Sequence, residues 1–76
     1  IQMIIKDPSL SNIKIAKNIE RELSKIGGIS FYEVSLQSNA LLVNYNHEKV
    51  DDKYIMGILK KWGCGINSIS FSPIFN

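Results

Sequence analysis

Two side chains of this 76-residue chain could bind a metal or act as nucleophile and base: Cys64, its single cysteine, and His47, its single histidine. Protein zinc sites usually have four ligands, so one thiolate alone binds copper(I) or zinc weakly. It can also complete a site that is shared with a partner or a second copy. Cys64 can equally be a small buried hydrophobic residue. A Cys–His catalytic pair needs the two groups close together, and no acid–base pair is evident, so the sequence does not predict an enzyme.

Four basic residues recur at steps of three and four in the first third of the chain: Lys14, Lys17, Arg21 and Lys25. On a helix this spacing places them on one face, which we call the basic stripe. Such a stripe is typical of a solvated surface, and it can also dock an acidic partner. The acidic residues nearby, Glu20 and Glu22, lie off the stripe and dilute its charge.

Three aromatic residues, Phe31, Tyr54 and Trp62, could in principle stack on RNA bases. Tyr54 and Trp62 fall on the apolar face of a predicted helix, so we assign them to the core. Phe31 alone is weak support for RNA binding, and a net charge of +2 is too small to indicate a nucleic-acid partner.

Length and composition indicate a single soluble domain over residues 1–76, with 45% hydrophobic and 21% charged residues. A lone cysteine excludes an intrachain disulfide and fits a reducing, cytoplasmic location. No apolar run approaches the roughly 20 residues that span a bilayer, and no targeting signal is evident. Because the chain begins at Ile1 rather than Met, we expect it to be a fragment of a larger protein, which could be a membrane protein with this segment in its soluble part.

The periodicity of apolar residues predicts six elements in the order β-α-β-β-α-β, the ferredoxin-like α+β fold. We expect a four-stranded antiparallel sheet with both helices on one face. The predicted strands span residues 1–6, 29–36, 41–45 and 66–71. The predicted helices span about Asn12 to the Gly27–Gly28 pair, with Ser11 or Asn12 as N-cap, and 52–62, with Asp51 as N-cap.

The same patterns predict which side chains face the core. In the second strand, Tyr32, Val34 and Leu36 should point inwards and Phe31 outwards. On the second helix, Tyr54 should be buried, and Gly57 should allow another element to approach closely. The predicted core residues are Ile19, Leu23, Val34, Val43, Ile55, Leu59 and Ile69.

The chain resembles the heavy-metal-associated domain of copper chaperones and of the N-terminal modules of metal-transporting P-type ATPases. That family's pattern is Gly-Met-Thr-Cys-x-x-Cys, an Ile/Leu helix, Gly-Val, a Val-rich strand, Val-x-Tyr-Asp, a second helix and Gly-Tyr. Here "KIGGIS", "YEVSL", "VNYN" and "KVDDKYIMGILKKWG" match it in order. The register runs without gaps from residue 9 to about 66.

The resemblance fails where the family binds metal. Its two cysteines correspond to Asn12 and Ile15, whereas Leu10 and Ser11 keep the character of the preceding Met and Thr. We call these four residues the metal-loop positions. Soft ions such as copper(I) require thiolates, which neither an amide nor a butyl group supplies. In the family fold Cys64, which replaces the usual Tyr, should lie near this loop, and His47 should not.

The resemblance therefore implies a non-catalytic interaction or regulatory module of a metal-transport protein, with its two-cysteine site lost. Its partner would be a protein or a neighbouring domain of the parent chain, which could be a P-type ATPase. In that family the first helix and the loop before it dock partners, which favours a docking role for the basic stripe. No cofactor is expected. The alternative is a metal-binding or chaperone module that holds copper(I) or zinc weakly through Cys64, completed by a partner or a second copy.

Overall fold

The computed structural model describes residues 1–74, so the last two residues of the predicted domain lie outside the described part. The strands are β1 (Gln2–Lys6), β2 (Ile29–Ser35), β3 (Ala40–Tyr45) and β4 (Ser68–Ser72). The helices are α1 (Ile13–Leu23) and α2 (Asp52–Lys61), and a short 3-10 helix, Pro8–Ser11, precedes α1. The predicted ferredoxin-like fold class is confirmed.

The four strands form one antiparallel sheet in the order β2-β3-β1-β4. Met3 lies opposite Val43 on β3 and opposite Phe71 on β4. Ile5 lies opposite Leu41 and Ile69 in the same way. Because successive side chains of a strand alternate between the faces, these residues share the face that both helices cover.

The core lies between the helices and that face of the sheet. Of the predicted core residues, Ile19, Leu23, Val43, Ile55 and Leu59 are buried, whereas Val34 and Ile69 are only partly buried. The latter two lie on the edge strands β2 and β4, which each pair with one other strand in the described part of the chain. The core also contains Met3, Ile5, Leu10, Ala16, Leu41, Tyr45, Val50, Ile58 and Cys64.

Helix α1 ends earlier than the Gly27–Gly28 pair predicted. Its last residue is Leu23, and Ser24 caps it, with the Ser24 hydroxyl donating to the Arg21 carbonyl. Two tighter turns follow before Gly28, which has a φ of +99°. A Cβ at Gly28 would lie 2.7 Å from Val50 Cγ2, so this position requires glycine for its backbone conformation and for space.

Two predicted side-chain orientations and one predicted close approach are wrong. Tyr54 is 56% exposed, because it lies about 100° around α2 from the buried Ile55. A Cβ added at Gly57 would meet no neighbouring atom within 4 Å, so this glycine does not serve a close approach. Leu36 follows the end of β2 and is exposed, whereas Phe31 points outwards as predicted.

Candidate functional site

The segment between β1 and α1 is held by a buried carboxylate. Asp7 is 7% exposed and forms the N-cap of the 3-10 helix. Its Oδ2 accepts hydrogen bonds from the Ser9 amide at 3.0 Å and from the Ser9 hydroxyl at 2.5 Å. The Asp7 amide donates to the Asn39 carbonyl of the β2–β3 turn at 3.0 Å. These bonds fix the path of the chain into the metal-loop positions.

Each metal-loop position makes a structural contact. Leu10 is fully buried in the core, and the Ser11 hydroxyl donates to the Leu36 carbonyl at 2.7 Å. Asn12 is the N-cap of α1: its Oδ1 accepts from the amides of Lys14 at 2.9 Å and Ile15 at 3.3 Å. Ile15 is partly buried against the core. The side-chain oxygen of Asn12 therefore satisfies free amides of the first helical turn.

Cys64 lies beside the start of this segment, next to Asp7 and Ser9. Gly63 ends α2 with a φ of +86°, and the Cys64 amide then donates to the Leu59 carbonyl at 2.9 Å. The side chains of Ser9 and Asp7 are close enough to the thiol to affect its pKa. Burial raises the pKa of Cys64, a nearby Ser9 hydrogen bond opposes that effect, and the charge of Asp7 adds to it. With 2% exposure, Cys64 lies within the core, where burial favours the neutral thiol over the thiolate.

His47 lies at the opposite end of the domain. It lines a shallow concavity of about 430 Å³ together with Ile1, Tyr45, Val50, Asp51, Asp52 and Phe71. His47 lies near Ile1, before the start of β1, and Cys64 lies near Asp7, after its end. His47 and Cys64 are therefore at opposite ends of the sheet. Within residues 1–74 there is no group of three or more His, Cys, Asp or Glu side chains suited to a metal ion.

The basic stripe is present on the surface of α1. Lys14, Lys17 and Arg21 lie in the helix and Lys25 just beyond its end, and all four are exposed. In the described part of the chain none of them forms a salt bridge. The stripe starts at Lys14, between the metal-loop positions Asn12 and Ile15, so the loop and the charged surface adjoin each other.

A polar contact between the two helices was not predicted. The Glu22 carboxylate accepts hydrogen bonds from the Trp62 indole N–H and from Lys61 Nζ, the latter at 3.1 Å. Lys61 Nζ also lies 5.3 Å from the centre of the Trp62 ring. The indole bond, followed by Lys61, lowers the pKa of Glu22. Trp62 is partly buried and packs against the core, as its sequence position suggested, but its N–H has this specific partner.

Comparison with known proteins adds no relative: no protein-family model matches the sequence, and no curated protein matches it significantly. In residues 1–74, neither helix is long and apolar enough to cross a membrane. The residues and contacts of the chain itself therefore carry its functional assignment.

Proposed function

We propose that this chain is a non-catalytic interaction module of the heavy-metal-associated type, in which the metal-binding loop has become a structural element. The observation that carries the proposal is the use of Leu10, Ser11, Asn12 and Ile15 as core residue, loop anchor, helix cap and core flank. These contacts would hinder a loop that must open to pass a metal to a partner. They favour a loop that holds the N-terminal end of α1 in a fixed orientation.

The docking surface is the basic stripe, and the partner is a protein or neighbouring domain with an acidic surface. Four exposed cations without ion-pair partners in the described chain produce a positive field beside the hydrogen-bonded loop. Complementary charge mainly increases the association rate and selects the partner. The interaction should weaken with salt, because the Debye length falls below about 10 Å above about 0.1 M.

The parent protein is a metal-transport protein, for which a P-type ATPase is the leading candidate, with this domain in the cytoplasm. This part of the proposal is supported by the ungapped register of residues 9–66 with the family pattern. Transmembrane helices and an Asp-Lys-Thr-Gly-Thr phosphorylation motif in the flanking sequence would establish it. Flanking sequence without either would contradict an ATPase parent.

The docking role is tested by NMR titration of the 76-residue chain with a poly-glutamate peptide as the acidic probe. We expect chemical-shift changes concentrated in residues 14–25 and binding that weakens steeply between about 50 and about 300 mM salt. The triple change Lys14→Glu, Lys17→Glu and Arg21→Glu should abolish binding. The matched control Lys49→Glu, Lys53→Glu and Lys60→Glu makes the same change in net charge outside the stripe. Equal loss in both variants would contradict a specific docking surface.

The alternative, metal binding through Cys64, is favoured by one observation: the thiol lies beside Asp7 and Ser9, which directly precede the metal-loop positions. To bind copper(I), however, Cys64 would have to leave the core and lose its proton against a raised pKa. Competition with a copper(I) chelator distinguishes the two functions. We expect weak binding that Cys64→Ser abolishes, and tight binding by a folded Asn12→Cys, Ile15→Cys variant. Tight binding by the Cys64→Ser protein would contradict the loss of the metal site.

A further inference from the structure

Strand β4 lies at one edge of the sheet. It pairs with β1 on one side, and no strand in the described chain pairs with its other side. Its sequence, Ser68–Ser72, is Ser-Ile-Ser-Phe-Ser, with neither charge nor proline. Edge strands of soluble proteins are usually protected by charged residues, proline, bulges or a covering element, because free backbone groups recruit another strand.

The opposite edge of the sheet has such protection. Strand β2 has Glu33 near its centre, and its pairing with β3 is irregular between Ile29 and Phe31. A charge and a bulge both oppose extension of the sheet. The two edges therefore differ, and β4 is the one suited to pairing.

The sequence of β4 is also self-complementary. Two copies paired antiparallel about Ser70 would place Ser68 opposite Ser72, and Ile69 opposite Phe71, of the other copy. We propose that β4 pairs in this way with β4 of a second copy of the chain, forming a two-fold symmetric dimer with one continuous sheet. An interface of this kind is isologous, so the same surface serves both copies.

The residues of β1 that lie opposite β4 are also complementary between the two copies. Phe71 lies opposite Met3 of β1, and Ile69 lies opposite Ile5. Pairing about Ser70 would therefore create two continuous apolar rows, Met3–Phe71–Ile69–Ile5, that cross the joint on the helix-covered side. Phe71 is 48% exposed in the single chain, so it has surface to bury against Ile69 of the second copy.

Charge does not oppose this arrangement. Lys6 lies opposite Ser68 and Gln2 lies opposite Ser72. In the dimer, the row with Lys6 and Ser68 of one copy would continue into Ser72 and Gln2 of the other copy. The two Lys6 ammonium groups would therefore lie in different rows. A five-residue edge buries less than the roughly 1,200 Å² of a standard stable interface, so the dimer exchanges with monomer.

The proposal is tested by sedimentation equilibrium of the 76-residue chain up to about 1 mM, where weak complexes form. We expect a monomer–dimer equilibrium in which the dimer fraction rises with concentration. A mixture of isotope-labelled and unlabelled chains should show intermolecular NOEs between Ile69 and Phe71. A chain that remains monomeric throughout this range would overturn the proposal.

Variants then locate the interface. Ser70→Lys places two like charges together at the two-fold axis and should reduce dimer formation severalfold. Ser70 is exposed in the monomer, so the change should leave the fold of the single chain intact. Ser30→Lys, an exposed serine on the other edge strand, is the matched control and should leave the equilibrium unchanged. Phe71→Ser should weaken the dimer without adding charge. Dimers that persist in Ser70→Lys, or that only Ser30→Lys disrupts, would contradict pairing through β4.

Discussion

Asn12 is both a metal-loop position and a helix cap, and the second role explains the residue type. Asparagine is among the best N-cap residues because its side-chain oxygen reaches the free amides of the first helical turn. The family's cysteine at this position would cap poorly. Asparagine at this position therefore stabilises the start of α1.

Replacing this cap should measurably destabilise the protein. Asn12→Ala should lower the free energy of unfolding by about 1 kcal/mol, because the bonds from the Lys14 and Ile15 amides are lost. Asn12→Ser, which retains a capping oxygen, is the control and should cost much less. Urea denaturation measures both. An equal loss in the two variants would show that the capping bonds are not what Asn12 contributes.

Cys64 should react slowly in the folded protein. Alkylation requires the thiolate, and burial raises the pKa of this thiol above its usual value. The rate with iodoacetamide should therefore increase at higher pH than for a free thiol, and it should rise sharply once urea unfolds the chain. A native rate equal to the unfolded rate at about pH 8, near the pKa of a free thiol, would show that Cys64 is accessible, which would favour the metal-binding alternative.

At the level of elements, the contact of Glu22 with Trp62 and Lys61 joins the C-terminal turns of both helices. The pKa of Glu22 is lowered by the Trp62 N–H first and by Lys61 second. A carboxyl group with a depressed folded-state pKa adds stability above its unfolded-state pKa, and that stability is lost as the pH falls through the folded-state pKa. The contact should thus stabilise helix packing at neutral pH and not in acid.

This linkage can be measured with Glu22→Gln. Between about pH 7 and about pH 3 the wild type should lose more stability than the variant, because only the wild type takes up a proton at this position. Glu20→Gln, which removes a carboxylate without a salt bridge in the described chain, is the control and should behave like the wild type. Identical pH profiles for wild type and Glu22→Gln would contradict the contact.

Elements with a strong local period were predictable from sequence, and relations between elements were not. The alternation of Leu41, Val43 and Tyr45 predicted the buried face of β3 correctly. In contrast, the partners of Glu22 lie some 40 residues away in the chain, and no local pattern indicates them. The burial of Cys64 against Asp7 likewise depends on how the end of α2 meets the end of β1. The predicted burial of Tyr54 was wrong because an apolar stripe on a helix locates the centre of the buried face better than its borders.

At the scale of the whole molecule, both helices and one face of the sheet share a single small core. A 76-residue domain has a total stability of roughly 4–11 kcal/mol, at about 0.05–0.15 kcal/mol per residue. One large buried side chain is therefore a substantial fraction of it. Position within the core should decide the cost of truncation, because edge strands bury their side chains less fully than the helix interior does.

Leu23 and Val34 test this difference. Leu23 is buried at the end of α1, so Leu23→Ala should cost about 2–5 kcal/mol and leave the domain barely folded. Val34 lies on the edge strand β2 and is only partly buried, so Val34→Ala should cost clearly less. Leu36→Ala, at an exposed position, should change the melting temperature little. Thermal melts of the three variants compare them directly. If Leu36→Ala destabilised the protein as much as Leu23→Ala, the core would extend beyond the helix-covered face of the sheet.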